Sequence, residues 1–139
     1  MESNIFELEI EAKAENLDNV IEFVNSHLEN TDCSMKAQMQ IEVAVEEIFV
    51  NIANYAYNPE IGKAVIRVEL SEEPLVITIT FLDNGKPYDP LAKENPDTTL
   101  SADDREIGGL GIFLTKSIMD DVRYEYKNGQ NILTLEKNL

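Results

Sequence analysis

QIEVAVEEIFVNIANYAYN, residues 40–58, is the stretch around which the rest of the chain is arranged. Ile41, Ala44, Val45, Ile48, Ile52, Tyr55 and Ala56 recur at a 3.6-residue period and predict a long helix with a broad core-facing side. A polar stripe of Gln40, Glu47, Asn51, Asn54 and Asn58 follows another side of the same helix. It holds one carboxylate among amides, with few of the Lys and Arg partners of a solvated helix face. Glu47 and Asn51 stand four residues apart, so their side chains converge. A carboxylate and a carboxamide there are hard oxygen donors, suited to Mg²⁺ or to an activated water. An ordinary polar helix face has the same composition, and this helix alone does not separate the two readings.

Working outward, the chain of 139 residues suits one domain, residues 1–139, with a core of its own. Its 43% apolar and 27% charged residues are those of a soluble globular protein. The net charge of −16 and the lack of any Lys/Arg run argue against nucleic acid and anionic membranes as partners. The same surplus means that an anionic ligand such as a nucleotide needs Mg²⁺ and backbone N–H groups around it. Cys33 is the single cysteine, which excludes a disulfide within the chain and a cysteine metal cluster. It is expected near a helix start, buried or half-buried. No signal-peptide pattern opens the sequence and no apolar run approaches bilayer length, so a cytoplasmic location is expected.

Phe6, Leu8, Ile10 and Ala12 alternate with charged residues, a strand with one buried face. Asn16 is an expected N-cap for a helix carrying Leu17, Val20, Ile21, Val24 and Leu28. His27, the single histidine, has no partner in sequence that makes it a base or a ligand. Asp32 or Ser34 is the expected cap of the long helix, which should stop at Asn58-Pro59. Residues 64–70 and 75–81 alternate as a hairpin around 71–74, with Gly62 at the turn into it. From Asp83 to Ile107 periodicity fails and Pro87, Pro90 and Pro96 intervene, as in a lid, a binding loop or a disordered segment. Residues 109–120 form a short helix expected to pack Leu110, Phe113, Leu114 and Ile118 inward. Residues 122–127 and 131–136 then pair across Asn128-Gly129. The order β-α-α-β-β-loop-α-β-β predicts an α+β two-layer sandwich, a mostly antiparallel mixed sheet with three helices on one face.

Two further signals flank the irregular loop. Asp83-Asn84-Gly85 ends a strand; its carboxylate can accept from an exocyclic amine and its glycine admits a flat ring, though such a triplet also makes a simple turn. Gly108-Gly109-Leu110-Gly111-Ile112 opens a helix, where bare N–H groups and the helix dipole favour phosphate. The glycines fit neither a P-loop nor a dinucleotide fingerprint, because no Gly-Lys-Ser/Thr follows and Leu114 stands where a third glycine is needed.

In order and spacing these signals resemble the ATP-binding domain of the GHKL superfamily, shared by gyrase, heat-shock chaperones, histidine kinases and mismatch-repair ATPases. Glu47-x-x-x-Asn51 is similar to its N-box, and Asp83-x-Gly85 and Gly109-x-Gly111 to its glycine boxes. Within it, the chain resembles most the bacterial anti-sigma factor serine/threonine kinases. The wording is visible in Glu47-Ile48-Phe49-Val50-Asn51, Tyr55-Ala56-Tyr57, Gly85-Lys86-Pro87-Tyr88-Asp89-Pro90, Gly108-Gly109-Leu110-Gly111-Ile112 and Met119-Asp120.

The resemblance implies a Bergerat-type fold and Mg²⁺-ATP as the ligand. Asn51 would hold Mg²⁺, and Glu47 would be the catalytic base toward a seryl hydroxyl or a water. Asp83 would read the adenine amine beside Gly85. Gly109, Leu110, Gly111 and Ile112 would cradle phosphate, and residues 89–107 would close as a lid. Lys86, Lys93 and Arg105 are cations near that lid, suited to phosphate or to plain solvation. The implied activity is that of a protein serine kinase acting on a STAS-type anti-sigma factor antagonist, with a sigma factor as a further partner and a homodimer as the expected assembly. An ATP-sensing partner switch without phosphotransfer and a simple ATPase are the alternatives. The chain departs from the family pattern at three places. Tyr55 replaces a common histidine, Asn131 stands where a threonine is frequent, and residues 17–28 lack the basic residue used against sigma factors.

Overall fold

The computed structural model describes residues 4–29, 31–57, 60–72, 74–87 and 109–139. Five strands, β1 (Asn4–Glu11), β2 (Lys63–Ser71), β3 (Val76–Asp83), β4 (Asp121–Lys127) and β5 (Gln130–Asn138), form one sheet in the order β1-β2-β3-β5-β4. Every pairing is antiparallel, so the expected mixed character is absent from these strands. Three helices, α1 (Leu17–Leu28), α2 (Met35–Asn51) and α3 (Gly109–Ile118), complete the α+β fold, with α2 packed between α1 and α3.

Period-two alternation explains the sheet's one buried face. Ala64, Ile66, Val68 and Leu70 of β2, Ile77, Ile79 and Phe81 of β3, and Leu133 and Leu135 of β5 all lie inside. Val20, Val24 and Leu28 of α1 and Ile41, Ala44, Val45, Ile48 and Phe49 of α2 cover them. Fully burying each of the Val, Leu, Ile and Phe side chains contributes about 1.5–3 kcal/mol. Asn128 and Gly129 both have positive φ, 54° and 79°, the backbone demanded by the tight β4–β5 turn.

The long helix starts where Ser34 Oγ accepts from the Ala37 N–H at 3.1 Å, one of the two expected caps. It does not continue as a regular α-helix to its end. After Asn51 the backbone widens into a π-helical turn, Ile52–Ala56. More residues per turn rotate Tyr55 off the core side, and it is half-buried instead of inward, while Ile52 and Ala56 stay buried. Asn58 and Pro59, the expected stop, lie outside the described residues, as does the whole expected lid with Lys93 and Arg105.

Other expectations change locally. Asn16 sits at the start of α1, but its side chain donates to the Glu11 carbonyl at 2.9 Å and makes no cap bond. His27 stacks on Phe6, ring centroids 3.9 Å apart, and meets the edge of Phe23, so it packs as an aromatic, and burial lowers its pKa. Cys33 is half-buried just ahead of α2, as expected. On α3, Ile112, Thr115 and, beyond the helix end, Met119 are buried and Ile118 packs against the core as expected, whereas Phe113 and Leu114 are exposed; the Leu110 side chain lies outside what is described. Ile112 and Thr115 stand three apart and Met119 four further on, one narrow stripe against the neighbouring layer.

Candidate functional site

The site is assembled by strand register. Asp83 is the last residue of β3 on the line Ile77, Ile79, Phe81, and so is carried onto the core face with them. Because β5 and not β4 lies beside β3, Asn131 is its direct cross-strand partner. Both are 5% exposed. Asn131 Nδ2 donates to Asp83 Oδ1 at 2.9 Å and to the Lys86 carbonyl at 2.9 Å, with the Gly85 carbonyl at 3.4 Å. Asn131 Oδ1 accepts from the Tyr124 hydroxyl. The Gly85 N–H also donates to Asp83 Oδ1, at 2.9 Å. Burial pushes the Asp83 carboxyl above the usual aspartate range, and the hydrogen bonds from Asn131 and Gly85 only partly oppose this.

The turn after Asp83 is clamped from α2. A Cβ on Gly85 would lie 2.3 Å from the Ala56 carbonyl oxygen, so the glycine is required by the approach of the turn to the π-helical end of α2. That requirement comes from the fold and is separate from the expected role of making room for a ring. The Lys86 N–H donates to that same carbonyl at 2.9 Å. Tyr57 fixes the other side, its hydroxyl donating to the Lys63 carbonyl at 2.6 Å and accepting the Asn84 N–H at 2.8 Å. Gly62 leaves space for that ring, since a Cβ there would be 2.3 Å from it. Burial raises the Tyr57 phenol, with the Asp83 carboxylate adding to it and the Asn84 bond pulling the other way.

A cleft opens above this network, lined by Ile48, Asn51, Ile52, Ala56, Phe81, Asp83, Tyr124, Asn131 and Leu133. Its walls are apolar and its polar groups few, the usual composition of a small-molecule site. Asn51, 6% exposed, is part of that lining, and its Nδ2 is 3.5 Å from Glu47 Oε1, at the limit of a hydrogen bond. Glu47 is half-buried one turn back, in a shallow depression with Val43, Glu46 and Val50, and does not line the cleft itself. Glu46 is exposed on an adjoining side of α2. Gly109, Leu110, Gly111 and Ile112 form the first turn of α3, which packs on α2. The first turn of a helix leaves N–H groups without intrahelical partners.

The structure brings Asn51 and Asp83 to one cleft and puts Gly85 behind it and Glu47 beside it, whereas the sequence reading sets all four around one pocket. The sequence reading missed Tyr124 altogether and registered Asn131 only as a departure from the family pattern. The period-two frame through Leu133 and Leu135 carried the signal for Asn131, since it runs that residue onto the buried face.

A histidine kinase-like ATPase domain model matches residues 10–137, and the chain belongs to that family. Among curated relatives, the serine/threonine-protein kinase BtrW of Bordetella bronchiseptica is 29% identical over 102 residues, 73% of this chain and 71% of that protein. The serine-protein kinase RsbW of Listeria monocytogenes is 29% identical over 105 residues, 72% of this chain and 66% of that protein. The matched region therefore spans about two thirds of such relatives. In fold, the chain is similar to the histidine kinase domain of the Erythrobacter litoralis EL346 blue-light activated histidine kinase. The TM-score is 0.56, over 91% of this chain and 60% of that one, at 12% identity.

Proposed function

We propose that this chain binds Mg²⁺-ATP in the cleft and transfers the γ-phosphoryl group to a serine of a small, STAS-type anti-sigma factor antagonist. The observation that carries the reading is the buried Asp83 carboxylate, held at a register-fixed position on one wall of the cleft that Asn51 also lines. A desolvated carboxylate facing an apolar slot suits the amine of a flat base. The names of the relatives, serine and serine/threonine kinases, agree with it.

The residues present also fit the ion. Among the described residues no group of three His, Cys, Asp or Glu side chains could form an all-protein cage. Mg²⁺ takes one or two protein oxygens together with substrate phosphates and water. The side-chain Oδ1 of Asn51 is a donor of that type in the cleft lining. Bound there, the ion would neutralise phosphate charge that a chain of net charge −16 otherwise repels. Asp83 then receives the adenine amine, and the first-turn N–H groups of Gly109, Leu110, Gly111 and Ile112 meet phosphate oxygens. Glu47 accepts the seryl proton as that oxygen bonds to the γ-phosphorus and the bond to the β-phosphate oxygen breaks, releasing ADP. Positioning and charge stabilisation supply most of the rate in such a transfer.

A sigma factor as sequestered partner, a homodimer and a cytoplasmic location belong to the same proposal. Among the described residues no helix is long and apolar enough to cross a membrane. One observation favours a second reading, an ATP-sensing partner switch without phosphotransfer: Glu47 stands beside the cleft instead of in its lining. Incubation with γ-labelled ATP, Mg²⁺ and the antagonist encoded nearest in the genome separates the two. Label on an antagonist serine, abolished by Glu47→Gln, supports the kinase. Tight ATP binding with neither transfer nor hydrolysis leaves the switch.

A further inference from the structure

We infer that the outward ridge of α2 is the docking platform for the phosphate acceptor, an inference that rests on the kinase reading above. Met35, Met39, Val43, Glu47 and Asn51 recur at every fourth position of the helix. Side chains four apart form a continuous row, inclined by about 26° to the helix axis, so a long row passes from one side of a helix to another. Here the row starts in solvent and ends in the cleft. Met35 is 78% exposed, Met39 60% and Val43 40%, whereas Glu47 is half-buried and Asn51 buried. Three bare apolar side chains thus lead to the proposed base and then to the proposed ligand of Mg²⁺.

Single exposed apolar residues are ordinary on a protein surface, but a contiguous set marks an interaction site. Methionine suits such a surface, because its unbranched, polarisable side chain adapts to what it meets. The occupant follows from where the row leads. Val43 also lines the depression that holds Glu46, Glu47 and Val50, so the apolar row and the proposed base share one continuous surface. A protein that brings a seryl oxygen to Glu47 must lay its neighbouring surface on Val43 and Val50, and Met39 extends that contact by about 6 Å along the helix. The rim there is acidic, since Glu46 is exposed beside Glu47 in a chain of net charge −16. Lys36 stands exposed at the far end of the row, about 15 Å along the axis from Glu46. The complementary partner surface is therefore an apolar patch beside the acceptor serine, with a Lys or Arg placed to meet Glu46. Glu47 stands between row and cleft, so the serine arrives from the ridge and the γ-phosphate from the cleft.

The test measures label transfer from γ-labelled ATP to the antagonist encoded nearest in the genome, at varied antagonist concentration, for wild type, Met39→Glu, Met35→Glu and Glu46→Lys. All three side chains are exposed, so the variants should keep the wild-type circular dichroism spectrum. Met39→Glu should raise the KM for the antagonist about tenfold or more, with kcat and Mg²⁺-ATP affinity unchanged. Met35→Glu, farther from Glu47, should raise it by a smaller factor, about threefold. Glu46→Lys should raise the KM and weaken its dependence on salt. An unchanged KM in all three variants, whatever happens to kcat, overturns the docking platform and leaves the kinase standing. If wild type transfers no label, the kinase reading fails and calorimetry of antagonist binding decides the platform. Affinity lowered by Met39→Glu then upholds the ridge as the antagonist's site, and equal affinity or no binding overturns it. A lower solution mass for Met39→Glu than for wild type in sedimentation assigns the ridge to a second copy of this chain and overturns the proposal as well.

Discussion

The two ends of the cleft are built in different ways. On the side proposed to hold the base, Asp83 and Asn131 are register partners in adjacent strands, tied through shared hydrogen bonds to the turn at Gly85 and Lys86 and, through Tyr57, to the start of β2. On the side proposed to hold the phosphates, Glu47 and Asn51 share one helix face, and the contact between them is a long 3.5 Å. Strand register fixes a side chain through the backbone on both sides of it, whereas a helix face fixes spacing and leaves long side chains to adjust. Substitutions at the base end should therefore disturb binding and folding together. Those at the phosphate end should disturb turnover and leave the fold alone.

The largest contrast is expected at Glu47. Glu47→Gln keeps the shape and removes the proposed base, so phosphotransfer to an antagonist should fall by roughly 10²–10⁴-fold. ATP affinity and the urea midpoint should stay close to wild type. A parallel loss of folding stability would break the distinction between the ends.

Asp83→Asn comes next. ATP affinity should fall by about 100-fold, since the new amide can turn a donor toward the adenine amine. Stability at neutral pH should hold or rise, because a buried charge is removed. The sign follows from the raised carboxyl of Asp83. With the folded pKa above the unfolded value, protonation is favoured in the native state. That stabilisation is complete below the ordinary aspartate value of 3.8 and is lost as pH rises through the higher folded value. Wild type should accordingly lose ATP affinity on acidification before an ordinary aspartate would titrate, and urea titrations across this window should show the linkage vanish in Asp83→Asn.

Smaller effects sharpen the comparison. Gly85→Ala drives a methyl group against the Ala56 carbonyl and should cost about 1–3 kcal/mol in denaturant unfolding. Tyr57→Phe strands the Lys63 carbonyl and the Asn84 N–H, and should cost about 1 kcal/mol with a slight loss of ATP affinity.

Local chemistry made much of this legible in advance. Helical spacing brought Glu47 and Asn51 together, alternation set out the strands, and Asn128-Gly129 announced its hairpin. Long-range choices stayed hidden. Nothing local tells whether β4 or β5 lies beside β3, so the pairing of Asp83 with Asn131 was not readable from either segment. The π-helical turn shifted Tyr55 away from the face that a 3.6-residue period gives it. On α3 the apolar Phe113 and Leu114 suggested the wrong inward side, because the narrow contact takes Ile112 and a fully buried Thr115 instead. The expected lid, residues 89–107, falls outside the described residues.

The claim on which the rest depends is that Asp83 and Asn51 belong to one nucleotide site. Titration calorimetry of Mg²⁺-ATP into wild type, Asp83→Asn and Asn51→Ala tests it directly. The account predicts saturable one-to-one binding to wild type, loss of most affinity in Asp83→Asn, and loss of the Mg²⁺-dependent part in Asn51→Ala. No binding by wild type, or equal binding by all three proteins, would contradict it.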